Sequence, residues 1–299
     1  MHRTAKCQEH RSAQALGTSP AHVRRPRHHP RPLIKDEVIH FIAIRGGLVV
    51  LYEYPFNERV RTLLRLEKLF DSMFFFVRQP DARGHHVAVT TLFEILDVSA
   101  RADLKSDLLQ DLERYRQSLH GLREHPGVDH EALGALLSSI EDAAAALNQQ
   151  GKTGDPIRQN DWLTSIRSRL AIPGGVCEFD LPAYHAWRHK PAQQRVNDLA
   201  QWVEPFLPLR EGLTIVLKML RESSQPQPLV AEEGAYRQML GGKAFQLLRV
   251  YVEEGEGIFP EISANKYMVS IRFSIQGGDM KPQHVQQDVP FQLALCNSI

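Results

Sequence analysis

The 299-residue chain carries 36 basic and 35 acidic residues, a formal net charge of +1, with 42% hydrophobic and 24% charged residues. Those proportions suit a water-soluble globular fold with ample core, and the chain has no run of about 18 apolar residues to span a membrane. Three cysteines (Cys7, Cys177 and Cys296), odd in number and far apart, argue against a disulfide framework and for a reducing cytoplasm.

The net charge averages two unlike pieces. Residues 1–48 hold nine basic and three acidic residues, net +6, which leaves net −5 for the rest. General attraction to nucleic acid is therefore not expected of the main body. The opening segment is rich in proline and histidine and has no apolar periodicity, so it reads as a disordered basic extension. It lacks the apolar region of a secretory signal. Two further readings stay open: a basic arm for nucleic acid, or a segment upstream of the true start. Orderly patterning begins near Val49, just after Arg45-Gly46-Gly47.

VVLYEYP is a short strand-like run ended by Pro55. Asn57 then caps a predicted helix that carries Val60, Leu63, Leu66, Phe70, Met73 and Val77 on one face, with Arg61, Arg65 and Lys68 as a stripe on another. Helices follow near 86–98, 101–121 and 130–148, then near 158–170, 181–190, 194–204 and 207–223. From about 229 the period changes to two. In KYMVSIRFSIQ the set Tyr267, Val269, Ile271, Phe273, Ile275 is apolar throughout, the mark of a half-buried antiparallel strand. The fold class is α+β: a mainly helical domain at 49–224, to whose early strand 50–54 the sheet lays claim, and a smaller antiparallel β domain at 225–299.

Motifs for catalysis are weak. Lys152 sits in a GKT triplet, but Ala146 stands where a phosphate loop needs glycine. IPGGVCEFDLPAYHAWRHKP brings together Cys177, Asp180, His185 and His189. The two histidines share a helical face as zinc ligands do, yet only Cys177 or Asp180 is near enough in sequence to add a third ligand. Cys177 and His185 as nucleophile and base lack an orienting third group. A turn at Pro173-Gly174-Gly175, an Asp180 cap, Pro182 in the first turn, core aromatics Tyr184 and Trp187 and a buried Cys177 explain the stretch more economically. The basic residues are left over. Arg101 opens one helix, Arg167 and Arg169 close another, and His185 and Arg188 follow. Lys266 and Arg272 lie about 20 Å apart along one strand. These can converge on one positive groove.

Three segments carry a resemblance: YEYPFNERVRTLLRLEKLF at 52–70, IRQNDWLTSIRSRLAIPGGVCEFDLPAYHAW at 157–187 and ISANKYMVSIRF at 262–273. With FEILDVSARADLKSDLL at 93–109 between them, the chain from about 50 to 299 resembles the ZapD family of bacterial cell-division proteins. The resemblance implies a cytoplasmic homodimer recruited to the mid-cell division ring. It implies binding to the C-terminal tail of FtsZ, bundling of FtsZ protofilaments, enhanced ring assembly and lowered FtsZ GTPase activity. It implies no enzyme activity, cofactor, metal, nucleic-acid partner or membrane insertion. Carried over by motif, the tail-holding residues are Arg101, His185 and Arg272. Lys266 shares a strand face with Arg272. Met268 stands at a position that is basic in some members of the family, and Arg167, Arg169 and Lys266 are candidates to take its role here.

Overall fold

The structure, a computed structural model, describes residues 49–297 apart from 102 and 256; the extension 1–48 and every reading attached to it lie outside the described residues. Strand β1 (Val49–Pro55) leads into α1 (Glu58–Arg78). Asn57 caps α1, its Oδ1 accepting the Val60 N–H at 2.8 Å. Helices α2 (Ala82–Ser99), α3 (Leu104–His120), α4 (His130–Gln149), α5 (Asp155–Arg158), α6 (Asp161–Leu170), α7 (Pro182–Arg188), α8 (Ala192–Val203) and α9 (Leu207–Glu222) follow. The helix expected near 158–170 is α6, which starts three residues later because Asn160 caps it by accepting the Leu163 N–H at 3.0 Å; the one-turn α5 precedes it. Asp180 does not cap α7; that position belongs to Leu181, without a side-chain bond. Asp180 instead lies 3.6 Å from Arg169.

The helices share one apolar core. α1 contributes Leu63, Leu66, Phe70 and Met73, α2 Leu92 and Ile95, α3 Leu112 and Tyr115, α4 Ile140 and Leu147, and α9 Leu213 and Leu217. α4 and α9 approach so closely at Gly212 that a Cβ there would stand 2.8 Å from Leu147 Cδ1. Alanine would force that contact apart.

The remaining strands are β2 (Gln227–Ala231), β3 (Ala235–Met239), β4 (Leu247–Glu253), β5 (Phe259–Ala264), β6 (Met268–Gln276), β7 (Pro282–His284) and β8 (Val289–Cys296). Two antiparallel sheets form, ordered β1-β4-β8-β2 and β3-β6-β5, with β7 beside β6. Leu248, Val250, Val252, Phe291 and Leu293 of the first sheet pack against Val269, Ile271 and Phe273 of the second. The opposite face of the first sheet offers Leu247, Ala294 and Cys296 to Val60 of α1 and Leu220 of α9. β4 is therefore covered on both faces, which is why LLRVYV is almost continuously apolar.

One polar cluster crosses this helix–sheet junction. Arg221 of α9 donates to Glu53 of β1 through Nε at 2.9 Å and Nη2 at 2.7 Å, and to Glu67 of α1 at 2.7 and 2.6 Å. Arg249 of β4 donates to Glu53 at 3.0 Å. Burial raises the Glu53 carboxyl, but Arg221 and Arg249 outweigh it and hold the group below its ordinary range. Burial likewise opposes the Arg221 charge, and Glu67 and Glu53 more than restore it.

Candidate partner-binding site

Arg101 follows the end of α2 and reaches back to the first turn of α1. Its Nη1 donates to Thr62 Oγ1 at 2.8 Å, and Nη1 and Nη2 both reach Glu58 Oε1 at 3.2 Å. The same carboxylate stands 3.7 Å from Arg65 and 3.8 Å from Arg61. Three guanidinium groups thus share one carboxylate, and their side chains are 42–56% exposed. Exposed pairs of this kind contribute little to stability, so the cluster is an outward-facing excess of positive charge. Arg59, one residue further on, is a contrast: it turns onto Asp107 and Asp111 of α3. Burial raises the Asp111 carboxyl, and the charges of Arg59 and Arg114 only partly offset this.

Arg167, in the last turn of α6, pairs with Asp97 of α2, four residues before Arg101. Arg169 lies against Asp180. On α7, Tyr184 and Trp187 turn inward, stacked at 5.6 Å and 10°, with Trp162 and Trp202 packed against them. The Tyr184 hydroxyl meets His86 Nδ1 at 2.7 Å. His185 is half-exposed. Its ring lies 4.4 Å from that of His189, whose Nδ1–H donates to the His185 carbonyl at 2.8 Å. Cys177 is half-exposed, not buried as expected; Cys296 is the buried thiol. Among the described residues no group of three His, Cys, Asp or Glu side chains could hold a metal ion.

A buried clamp sets the pose of α7. Arg195 of α8 donates through Nε to His85 Nδ1 at 2.9 Å, and through its other nitrogens to the carbonyls of Pro80, Arg188 and Lys190. His85 Nε2 is 3.2 Å from the Val77 carbonyl. With Nδ1 accepting and Nε2 donating, the ring is neutral. Burial, together with the Arg195 charge, holds its pKa below the ordinary value.

Lys266 lies in the turn before β6, its ammonium 4.9 Å from the Tyr267 ring. Arg272 is exposed on β6, between Ala235 of β3 and Glu261 of β5. The six candidates therefore fall into groups. Arg101 and Arg167 stand at the end of α2, Arg169 and His185 in or beside the 171–185 segment, and Arg272 on the second sheet, with Lys266 in the turn before β6 and not, as expected, on the strand with Arg272. Among the described residues no hydrogen bond or ion pair joins the sheet group to the helical ones. Arg61 and Arg65 enter through Glu58, a convergence that spacing along α1 shows only as a stripe. Arg237 of β3, whose Cα faces Ser270 beside Arg272, is hidden in AYRQM. That strand is too short and polar to announce itself.

The family model described as ZapD, a cell division protein, matches residues 64–272. The chain is 57% identical over 250 residues to cell division protein ZapD of Bordetella pertussis, covering 84% of this chain and 99% of that protein. It is 56% identical over 251 residues to cell division protein ZapD of Cupriavidus necator, covering 83% and 100%. The ZapD protein of Bordetella petrii is 53% identical over 250 residues. With the α+β architecture, two antiparallel sheets and an exposed arginine cluster in place, these matches show that the chain belongs to the ZapD family of cell division proteins.

Proposed function

We propose that the chain is an adaptor that binds the C-terminal tail of FtsZ and bundles FtsZ protofilaments, so promoting ring assembly and lowering FtsZ GTPase activity. The observation that carries this reading is the Glu58 cluster: Arg61, Arg65 and Arg101 crowd one exposed carboxylate, leaving positive charge for an acidic peptide. Arg167, Arg169, His185, Lys266 and Arg272 extend the tail contact. In this reading residues 49–224 and 225–299 are its helical and β domains, and the protein acts as a cytoplasmic homodimer at mid-cell, without catalysis or cofactor. Two binding surfaces per dimer link two filaments. Because each filament displays many tails, multivalency raises avidity by roughly 10²–10⁴ without new contacts.

The test is low-speed sedimentation of FtsZ filaments, formed with GTP, with and without the purified full chain. Bundles pelleting with intact FtsZ and not with tail-deleted FtsZ are the expected result. Equal pelleting of both overturns the tail as the docking element.

A further inference from the structure

β3 is an edge strand whose only ladder among the described residues runs to β6, from Ala235↔Arg272 to Met239↔Met268. The bonds flanking that ladder fix its phase. Phe273 N–H donates to the Gly234 carbonyl at 2.8 Å, and Leu240 N–H to the Tyr267 carbonyl at 2.7 Å. Inward bonding alternates along an antiparallel strand, so Tyr236 and Gln238 also turn to β6, and Ala235, Arg237 and Met239 turn away. The Ala235 N–H is taken by the Glu232 carbonyl at 2.9 Å. The outward N–H and C=O of Arg237 and Met239 meet no partner among the described residues.

The side chains here suit a guest strand. Met239 is 73% exposed and Tyr267, in the adjoining turn, 56%. Arg237 and Arg272 stand on the same face, exposed and without an ion pair among the described residues. At the Ala235 end a shallow open depression is lined by Glu232, Glu233, Asp288 and Arg237. A second copy fits this edge poorly. The antiparallel register that uses the four free groups of Arg237 and Met239 sets each Arg237 opposite the copy's Met239 and diagonal to the copy's Arg237 on the face that also carries Arg272, so cations gather along the seam. An extended segment of different sequence has no such conflict.

We propose that β3 is an open sheet edge onto which the tail segment adds as a further strand. Arg237 and Arg272 take its carboxylates, Met239 and Tyr267 its apolar side chains, and the Glu232–Glu233–Asp288 depression a basic residue at one end. Main-chain bonds give affinity and the flanking side chains give specificity. This inference rests on the tail-binding reading above and names the geometry of binding.

The test follows hydrogen exchange at the Arg237 and Met239 amides of the full chain, with and without a synthetic FtsZ C-terminal tail peptide at low salt. Both amides are expected to slow when the peptide binds. Met239→Pro removes an outward donor and leaves the β3–β6 ladder intact, so it should bind the peptide about fivefold more weakly than Met239→Ala. Peptide binding with both amides unprotected, or with proline and alanine variants alike, overturns the edge proposal and leaves tail binding standing. No binding by the unaltered chain overturns both. Protection that grows with chain concentration in the absence of peptide puts a second copy on the edge and overturns the proposal.

Discussion

Two arginine clusters in this molecule use the same chemistry to opposite ends. At the helix–sheet junction Arg221 and Arg249 meet Glu53 and Glu67, with side chains 12–23% exposed and forked contacts of 2.6–3.0 Å. Charges match two for two, and little is left for an outside partner. At the start of α1 Arg61, Arg65 and Arg101 share Glu58, half-exposed, at 3.2–3.8 Å. There cations outnumber the carboxylate and their geometry is loose. Burial with balanced charge holds the fold; exposure with surplus charge is available for binding.

The sharpest break of the comparison is Arg221→Met. It leaves Glu67 without its arginine and Glu53 with Arg249 alone, and removing one partner of a largely buried pair costs about 3 kcal/mol or more. The melting temperature should fall by roughly 10 °C; a fall of less than 2 °C would equate the buried cluster with the exposed one. Next is Arg101→Glu, which reverses a charge in the exposed cluster. Tail-peptide affinity measured by fluorescence anisotropy should drop about tenfold at low salt, and less at high salt, with the melting temperature nearly unchanged.

Acid brings out a third difference. His85 is neutral and buried, its folded pKa below the unfolded value near 6.5. Below that pH the unfolded chain binds a proton that the folded chain refuses, so stability falls as pH falls. His86, lowered by burial and by the Arg188 charge, acts in the same direction. Each contributes a slope of at most about 1.4 kcal/mol per pH unit. Melting temperatures should be level above about pH 7 and decline towards pH 5. His85→Gln, which still accepts from Arg195, should flatten the decline; an unchanged profile would take His85 out of it. Glu58→Gln carries the smallest effect. Freed of its one carboxylate, the cluster should bind tail peptide about twofold to threefold more tightly, since an exposed pair is worth under about 1 kcal/mol. Weaker binding would make Glu58 an organiser of the arginines instead of their competitor.

The helices are legible because each carries its own signals. Period-3.6 apolar positions locate α1 to α4, and Asn57 marks a start that its hydrogen bond to Val60 bears out. The α5–α6 break escapes a reading by pattern because Asn160 looks like any polar residue until it caps Leu163. On β6 the alternation picks out the inward set Val269, Ile271 and Phe273, whereas Tyr267 and Ile275, which share its period, are exposed where the strand outruns its cover. β2, β3 and β7 have too few residues and too little alternation to register, so the pattern predicts one small sheet where two face each other. Site geometry is less legible still. Spacing shows that Arg61 and Arg65 share a face of α1, but their meeting with Arg101 at Glu58 depends on α2 returning antiparallel to α1. The buried Arg221 cluster joins residues 168 positions apart, which no local pattern reveals.

The most direct measurement sets the two clusters side by side: tail-peptide affinity and melting temperature for Arg101→Glu and Arg221→Met in the full chain. If exposed charge binds and buried charge holds, Arg101→Glu loses affinity at constant melting temperature. Arg221→Met then loses melting temperature while binding the peptide normally well below its transition. Unchanged affinity in Arg101→Glu, with affinity lost in the folded Arg221→Met chain, would contradict that division.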